Sequence, residues 1–166
     1  LQSLLESIDG SQVTLIGDTM LDRYHYGFAN NLNSTAPVPV LKIIQSDESP
    51  GASAHIAIGL SSFGMNVSFH TAVGDDDQGG SIISTLKNMD ISLDNVVEVS
   101  DRMTLTKIRF FGSRESLLDR RQILLQADRG PNEPLELEIS DSLTKSAHSS
   151  ISNSCALVIS DYDTTL

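Results

Sequence analysis

Val13-Thr14-Leu15-Ile16-Gly17-Asp18-Thr19-Met20-Leu21-Asp22-Arg23-Tyr24 sets the fold class of this chain. Residues 13–16 form a short apolar run with β-branched side chains, the pattern of a strand buried on both faces of a parallel sheet. The run leads directly into Gly-Asp, and Asp22 follows six residues after Ile16. An open α/β sheet delivers acidic side chains in this way to the crevice at the carboxyl end of its central strands. An aspartate held there accepts hydrogen bonds from two neighbouring hydroxyls, which suits a polyol. Asp18 and Asp22 are equally able to cap a turn, and their spacing alone leaves both readings open.

Outward from that strand, strand and helix patterns alternate. Leu1, Leu4, Leu5 and Ile8 recur at helical spacing, and Asp9-Gly10 stops that helix before the strand. Residues 24–44 read as short strand-like pieces interrupted by Asn30-Asn31, Pro37 and Pro39. Proline has no amide to donate, so these pieces belong at a sheet edge or in a flap. Pro50-Gly51-Ala52-Ser53 opens a mostly apolar helix ending at Gly64, a glycine suited to the C′ position. Val67, Phe69, Thr71 and Val73 then alternate with Ser68 and His70, and a second helix carries Ile82, Ile83, Leu86 and Met89 on one face. Residues 96–99 and 105–111 are further strands, 112–121 a polar loop, and 122–127 a strand again. Ile139, Leu143, Ala147 and Ile151 step by four ahead of a last strand at 156–159. This order predicts one α/β domain over residues 1–166 with a largely parallel sheet.

Composition narrows the function. Twenty-two acidic residues against eleven basic ones, a formal charge of −11, disfavour nucleic acid and anionic membrane as partners. A sugar phosphate or nucleotide remains compatible, because local backbone amides and one or two cations hold such groups. The 39% hydrophobic content suffices for one packed core, in which the single Cys155 is expected to sit as a small buried residue. With no long apolar run and no charged-then-apolar leader, a cytoplasmic protein is expected. His25, His55, His70 and His148 lack close ligand spacing for zinc. Asp75-Asp76-Asp77 lacks the alternating acids and twelfth-position glutamate of a calcium loop, and reads as an acidic helix start.

The leading block, together with residues 36–43 (APVPVLKI), 50–64 (PGASAHIAIGLSSFG), 73–80 (VGDDDQGG), 104–111 (TLTKIRFF) and 156–162 (ALVISDY), resembles the amino-terminal half of the PfkB (ribokinase-like) carbohydrate kinases. Within that family the likeness is strongest to the D-glycero-β-D-manno-heptose 7-phosphate kinases of ADP-heptose synthesis. It is collinear from Val13 to Tyr162. The resemblance implies a three-layer αβα fold with a small β lid built from segments at about 24–44 and 104–128. It also implies ATP-dependent, Mg2+-assisted phosphoryl transfer to a sugar phosphate, and a homodimer through the lid strands.

Carried over position by position, the resemblance sets Asp22, Gly51, Ala52 and His55 against the sugar. Asp161 falls on the nucleotide side. Lys107 and Arg109 lie two apart in a strand and so share a face, where they either grip a substrate phosphate or form a solvated lid surface. Gly51 and its neighbours either let a ligand approach the backbone or simply begin a helix. Departures from the family are specific. Ala52 stands for the second glycine of Gly-Gly-x-x-Asn and His55 for its asparagine, Asn31 for an arginine, and Thr164-Thr165 for a lysine and glycine. A histidine ring nitrogen can restore one hydrogen bond; Asn31 carries no charge for an anionic sugar. Family members continue beyond the position of Leu166 into the nucleotide site and a Gly-Ala-Gly-Asp segment that supplies the base. Residues 1–166 alone are therefore expected to be inactive, and the alternative is a non-catalytic half that binds a sugar or another subunit.

Overall fold

The computed structural model describes residues 2–113 and 121–162. In chain order its elements begin with α1 (Gln2–Ile8), β1 (Gln12–Gly17), β2 (Thr19–Leu32), β3 (Pro39–Ala52), α2 (Ser53–Ser62) and β4 (Asn66–Gly74). There follow α3 (Asp77–Asn88), β5 (Val96–Val99), β6 (Thr106–Ser113), β7 (Gln122–Arg129), α4 (Leu137–Ile151) and β8 (Ala156–Ser160). One sheet is wholly parallel in the order β5-β4-β1-β8; the other, in the order β3-β2-β6-β7, is the lid. Helices lie on both faces of the parallel sheet, the three-layer arrangement the resemblance implies.

The alternation along β1 and β4 divides the two faces chemically. Leu15, Val67, Phe69 and Val73 pack with Ala54 and Ala57 of α2 and Ile82 and Leu86 of α3 in one apolar cluster. Facing α4, the same strands present hydroxyls. Thr14 Oγ1 lies 2.8 Å from Ser154 Oγ, Ser68 donates to Ser150 at 3.2 Å, and Ser146 donates to Asn95 at 2.9 Å. Leu143 and Ala147 are the buried apolar anchors of that helix. His70 lies fully buried on this polar side with Nε2 at 3.0 Å from Ser68 Oγ, while Nδ1 has no hydrogen-bond partner among the described residues.

Burial pushes the His70 imidazolium down from its ordinary value of 6.5. The unfolded chain then takes up a proton that the folded chain refuses, so stability is full above that value and falls as pH drops below it. A slope of up to about 1.4 kcal/mol per pH unit is expected below neutrality. Urea midpoints measured between pH 7.5 and 5.5 test this: the slope should flatten in His70→Phe, and an equal slope in that variant refutes the assignment.

Helix ends follow local chemistry. At the end of α2, Met65 N donates to Leu60 O at 3.3 Å and Gly64 N to Ser61 O at 2.9 Å, with Gly64 at φ +83°. Those two bonds are a Schellman closure, and the expected C′ glycine makes it. Asp76 caps α3, accepting from Gly79 N at 2.9 Å, from Thr104 N at 3.0 Å and from Thr104 Oγ1 at 2.6 Å. Burial alone would raise the Asp76 carboxyl; the bonds from Thr104 and Gly79 outweigh it and hold it below the ordinary range. The aspartate run is thus a helix start that also ties the entry of β6 to α3.

Four sequence expectations need correction. Residues 24–44 are not short pieces: β2 and β3 are 14-residue strands of one long hairpin, and β2 begins at Thr19. Its two register shifts, at Tyr26/Gly27 and Phe28/Asn31, absorb the irregular sequence, and Pro39 is tolerated as the first residue of an edge strand. Residues 50–52 end β3, so helix α2 opens only at Ser53. Met89 is the C-cap of α3 and half exposed, because the helix ends before its face returns to the core. Cys155 is exposed: it immediately precedes β8, an edge strand whose Leu157 and Ile159 are also open to solvent. No described helix is long and apolar enough to cross a membrane.

Candidate functional site

β1 carries Gly17 and Asp18 to the carboxyl end of the parallel sheet, where the chain turns into the lid. Asp18 is 1% exposed. Its amide donates to Ser160 O at 2.9 Å, its carbonyl accepts from Ser53 N at 2.9 Å, and its carboxylate accepts from Tyr162 N at 2.7 Å. It therefore fastens the end of β8 and the start of α2 to β1. A buried chain of hydroxyls continues this joint: Thr71 Oγ1 donates to Gly17 O at 2.7 Å and lies 2.8 Å from Thr19 Oγ1, which lies 2.8 Å from Ser53 Oγ. Sequence reasoning missed it. Its one signal is that Thr71 occupies a position where the strand's alternation asks for an apolar side chain.

Asp22 belongs to the base of the lid. In the parallel pairing of β2 with β6, Asp22 stands opposite Lys107 and Tyr24 opposite Arg109, so these four side chains share one face. Arg109 Nη1 lies 2.6 Å from Asp22 Oδ1, with only 22% and 19% of the two side chains exposed. The same nitrogen lies 3.5 Å from Tyr24 Oη, and the guanidinium lies over the Tyr24 ring at 5.5 Å from its centroid. The hydrogen bond to Asp22 holds the guanidinium above its usual value against the opposing effect of burial. Lys107 Nζ stands 5.8 Å over the ring of Tyr162, just beyond β8. The lid face thus leans across the carboxyl end of the parallel sheet.

Gly51 lies under this pair. A Cβ on Gly51 would overlap Asp22 Oδ2, so the carboxylate occupies the space that any side chain would need. Ala52, the N-cap of α2, has φ 51° and ψ −128°, a backbone that glycine adopts freely and alanine resists. Ala52→Gly is expected to stabilise the fold by about 1 kcal/mol, a rise of roughly 2–4 °C in Tm. Calorimetry decides it, and an unchanged or lower Tm removes the strain.

The predicted residues divide accordingly. Asp22, Gly51, Ala52, Lys107 and Arg109 meet where lid and sheet join. His55 is exposed on the first turn of α2, and Asp161 is exposed beyond β8. Asn31 lies nine residues beyond Asp22 in the same strand, roughly 30 Å along the lid, so its lost charge falls at the lid tip. Thr164-Thr165 lie outside the described residues. What converges is a carboxylate with a paired guanidinium, a second cation and an exposed aromatic ring: groups that bind and orient a polyol or its phosphate.

No family model matches the chain. It is 34% identical to the bifunctional protein HldE of Psychromonas ingrahamii over 160 residues, which are 96% of this chain and 32% of that protein. It is also 34% identical to the HldE of Actinobacillus succinogenes over 152 residues, 92% of this chain and 30% of the relative. The chain thus spans about a third of the length of the curated relatives it matches. Among solved structures, it superposes on Arabidopsis thaliana ribokinase complexed with ribose and ATP with a TM-score of 0.59 at 14% identity, covering 82% of this chain and 43% of that one. A carbohydrate kinase from Agrobacterium tumefaciens gives 0.57 at 13% identity, covering 90% and 45%. These two likenesses establish the fold.

Proposed function

We propose that this chain, 34% identical to an HldE protein over about a third of that relative's length and folded like a ribokinase, belongs to the PfkB (ribokinase-like) carbohydrate kinases and is the sugar-binding part of an ATP-dependent kinase acting on a heptose phosphate such as D-glycero-β-D-manno-heptose 7-phosphate. The observation that carries the reading is the Asp22–Arg109 pair over Gly51, at the crevice where lid meets parallel sheet. A carboxylate so placed accepts two sugar hydroxyls, with Ala52 and His55 at the start of α2 on one side and Lys107 and Arg109 above. Asp161 would face the nucleotide. Among the described residues no three acidic, histidine or cysteine side chains converge as metal ligands. The base, the ATP site and the metal would then lie in the part of the relatives' length that this chain does not span.

The reaction would take place in the cytoplasm, and the lid would also serve as a dimer contact. Leu32, Val38, Val40, Ile43 and Ile44 on one side of it, and Ile123 and Leu125 on the other, are exposed apolar side chains. The test is ADP release by the full-length protein with heptose 7-phosphate, and mass detection of a bisphosphate. Sugar-dependent turnover with a bisphosphate product is expected. Sugar binding without turnover would replace this reading with the non-catalytic one.

A further inference from the structure

Two cations face the crevice from β6, and the geometry treats them differently. Arg109 is committed: its Nη1 lies 2.6 Å from Asp22 and its guanidinium covers the Tyr24 ring. Both side chains of the pair are largely withdrawn from water, which strengthens the attraction and makes its loss costly. Asp22 in turn lies against Gly51, with its Oδ2 in the space that a Cβ at that position would fill. Lys107, one pleat nearer the parallel sheet, has an aromatic ring beneath its ammonium. A cation over a ring keeps its outer donors available.

We propose that Arg109 is a positioning residue, holding the Asp22 carboxylate over Gly51 so that it meets sugar hydroxyls, and that Lys107 is the cation that takes the substrate's phosphate. This rests on the sugar-kinase reading of the same site. It splits the pair of cations by task. An arginine that must hold a carboxylate has one edge of its fork occupied, and drawing it to a phosphate would leave Asp22 unpaired in a largely buried site. A lysine, a compact point charge on a flexible stem, suits a phosphate that arrives and leaves with each substrate.

The two tasks have separate signatures in the full-length protein, titrated calorimetrically with D-glycero-D-manno-heptose and with its 7-phosphate. Arg109→Gln is expected to weaken both ligands by the same factor, on the order of 10- to 100-fold, leaving their affinity ratio unchanged. Arg109→Lys should recover part of that loss for both. Lys107→Gln is expected to weaken the phosphorylated sugar about 5- to 20-fold and the free sugar less than about twofold, collapsing the ratio. If Arg109→Gln collapses the ratio as Lys107→Gln does, Arg109 grips the phosphate itself and the division is overturned while the sugar site stands. If the unmodified protein binds neither ligand, the sugar site and this division fall together.

Discussion

Asp22→Ala is expected to abolish measurable sugar binding, a loss of at least about 100-fold, while the protein stays folded. The substitution removes an acceptor for two hydroxyls, and each hydrogen bond to a charged group is worth roughly 1.5–3 kcal/mol. It also leaves Arg109 without the contact at 2.6 Å that fixes it. In a fully buried pair that would cost about 3–5 kcal/mol, but a fifth of each side chain reaches water, so the stability loss should be nearer 1–2 kcal/mol. Calorimetric titration with heptose 7-phosphate and a urea melt of the same sample separate the effects. Retained affinity would show that the carboxylate serves only to pair Arg109.

Phe69→Ala is expected to carry the largest effect on stability, a loss of about 3–5 kcal/mol. Phe69 is 1% exposed and sits in register with Leu15 at the centre of the parallel sheet, in the cluster completed by Ala54, Ala57, Ile82 and Leu86. A void there would be lined by Leu15, Ala54, Ala57, Ile82 and Leu86, which are already fully buried. Domains of this kind are stable by about 5–15 kcal/mol in all, so the variant should lie near its unfolding midpoint at moderate temperature. A urea midpoint within experimental error of the parent would mean that the core does not pass through this ring.

The alternation of residues 66–74, the step of four in α4 and the apolar run of β1 are periodic, and each formed the element its period predicts. The same holds for Gly64 and Asp76, whose chemistry acts within a few residues of chain. Edge placement follows no such local rule. Cys155 sits beside an apolar run like those of the central strands, and it is exposed because β8 has a strand on one side only among the described residues. Met89 shares the apolar pattern of α3 and lies outside because the helix stops there.

The candidate site shows the same boundary. Asp22, Gly51, Lys107 and Arg109 were legible as residue types in motifs, since a family resemblance is written in sequence. The ion pair of Asp22 with Arg109 joins positions 87 apart, and the left-handed backbone at Ala52 is set where β3 meets α2. Contacts of that range depend on strand register and on which neighbours crowd a side chain, and a one-dimensional pattern carries neither. The chain's own letters determined its alternating elements, its helix ends and its carboxylate and cations. Packing of the lid against the parallel sheet determined which cation the carboxylate would hold, and why a side chain at position 51 would displace it.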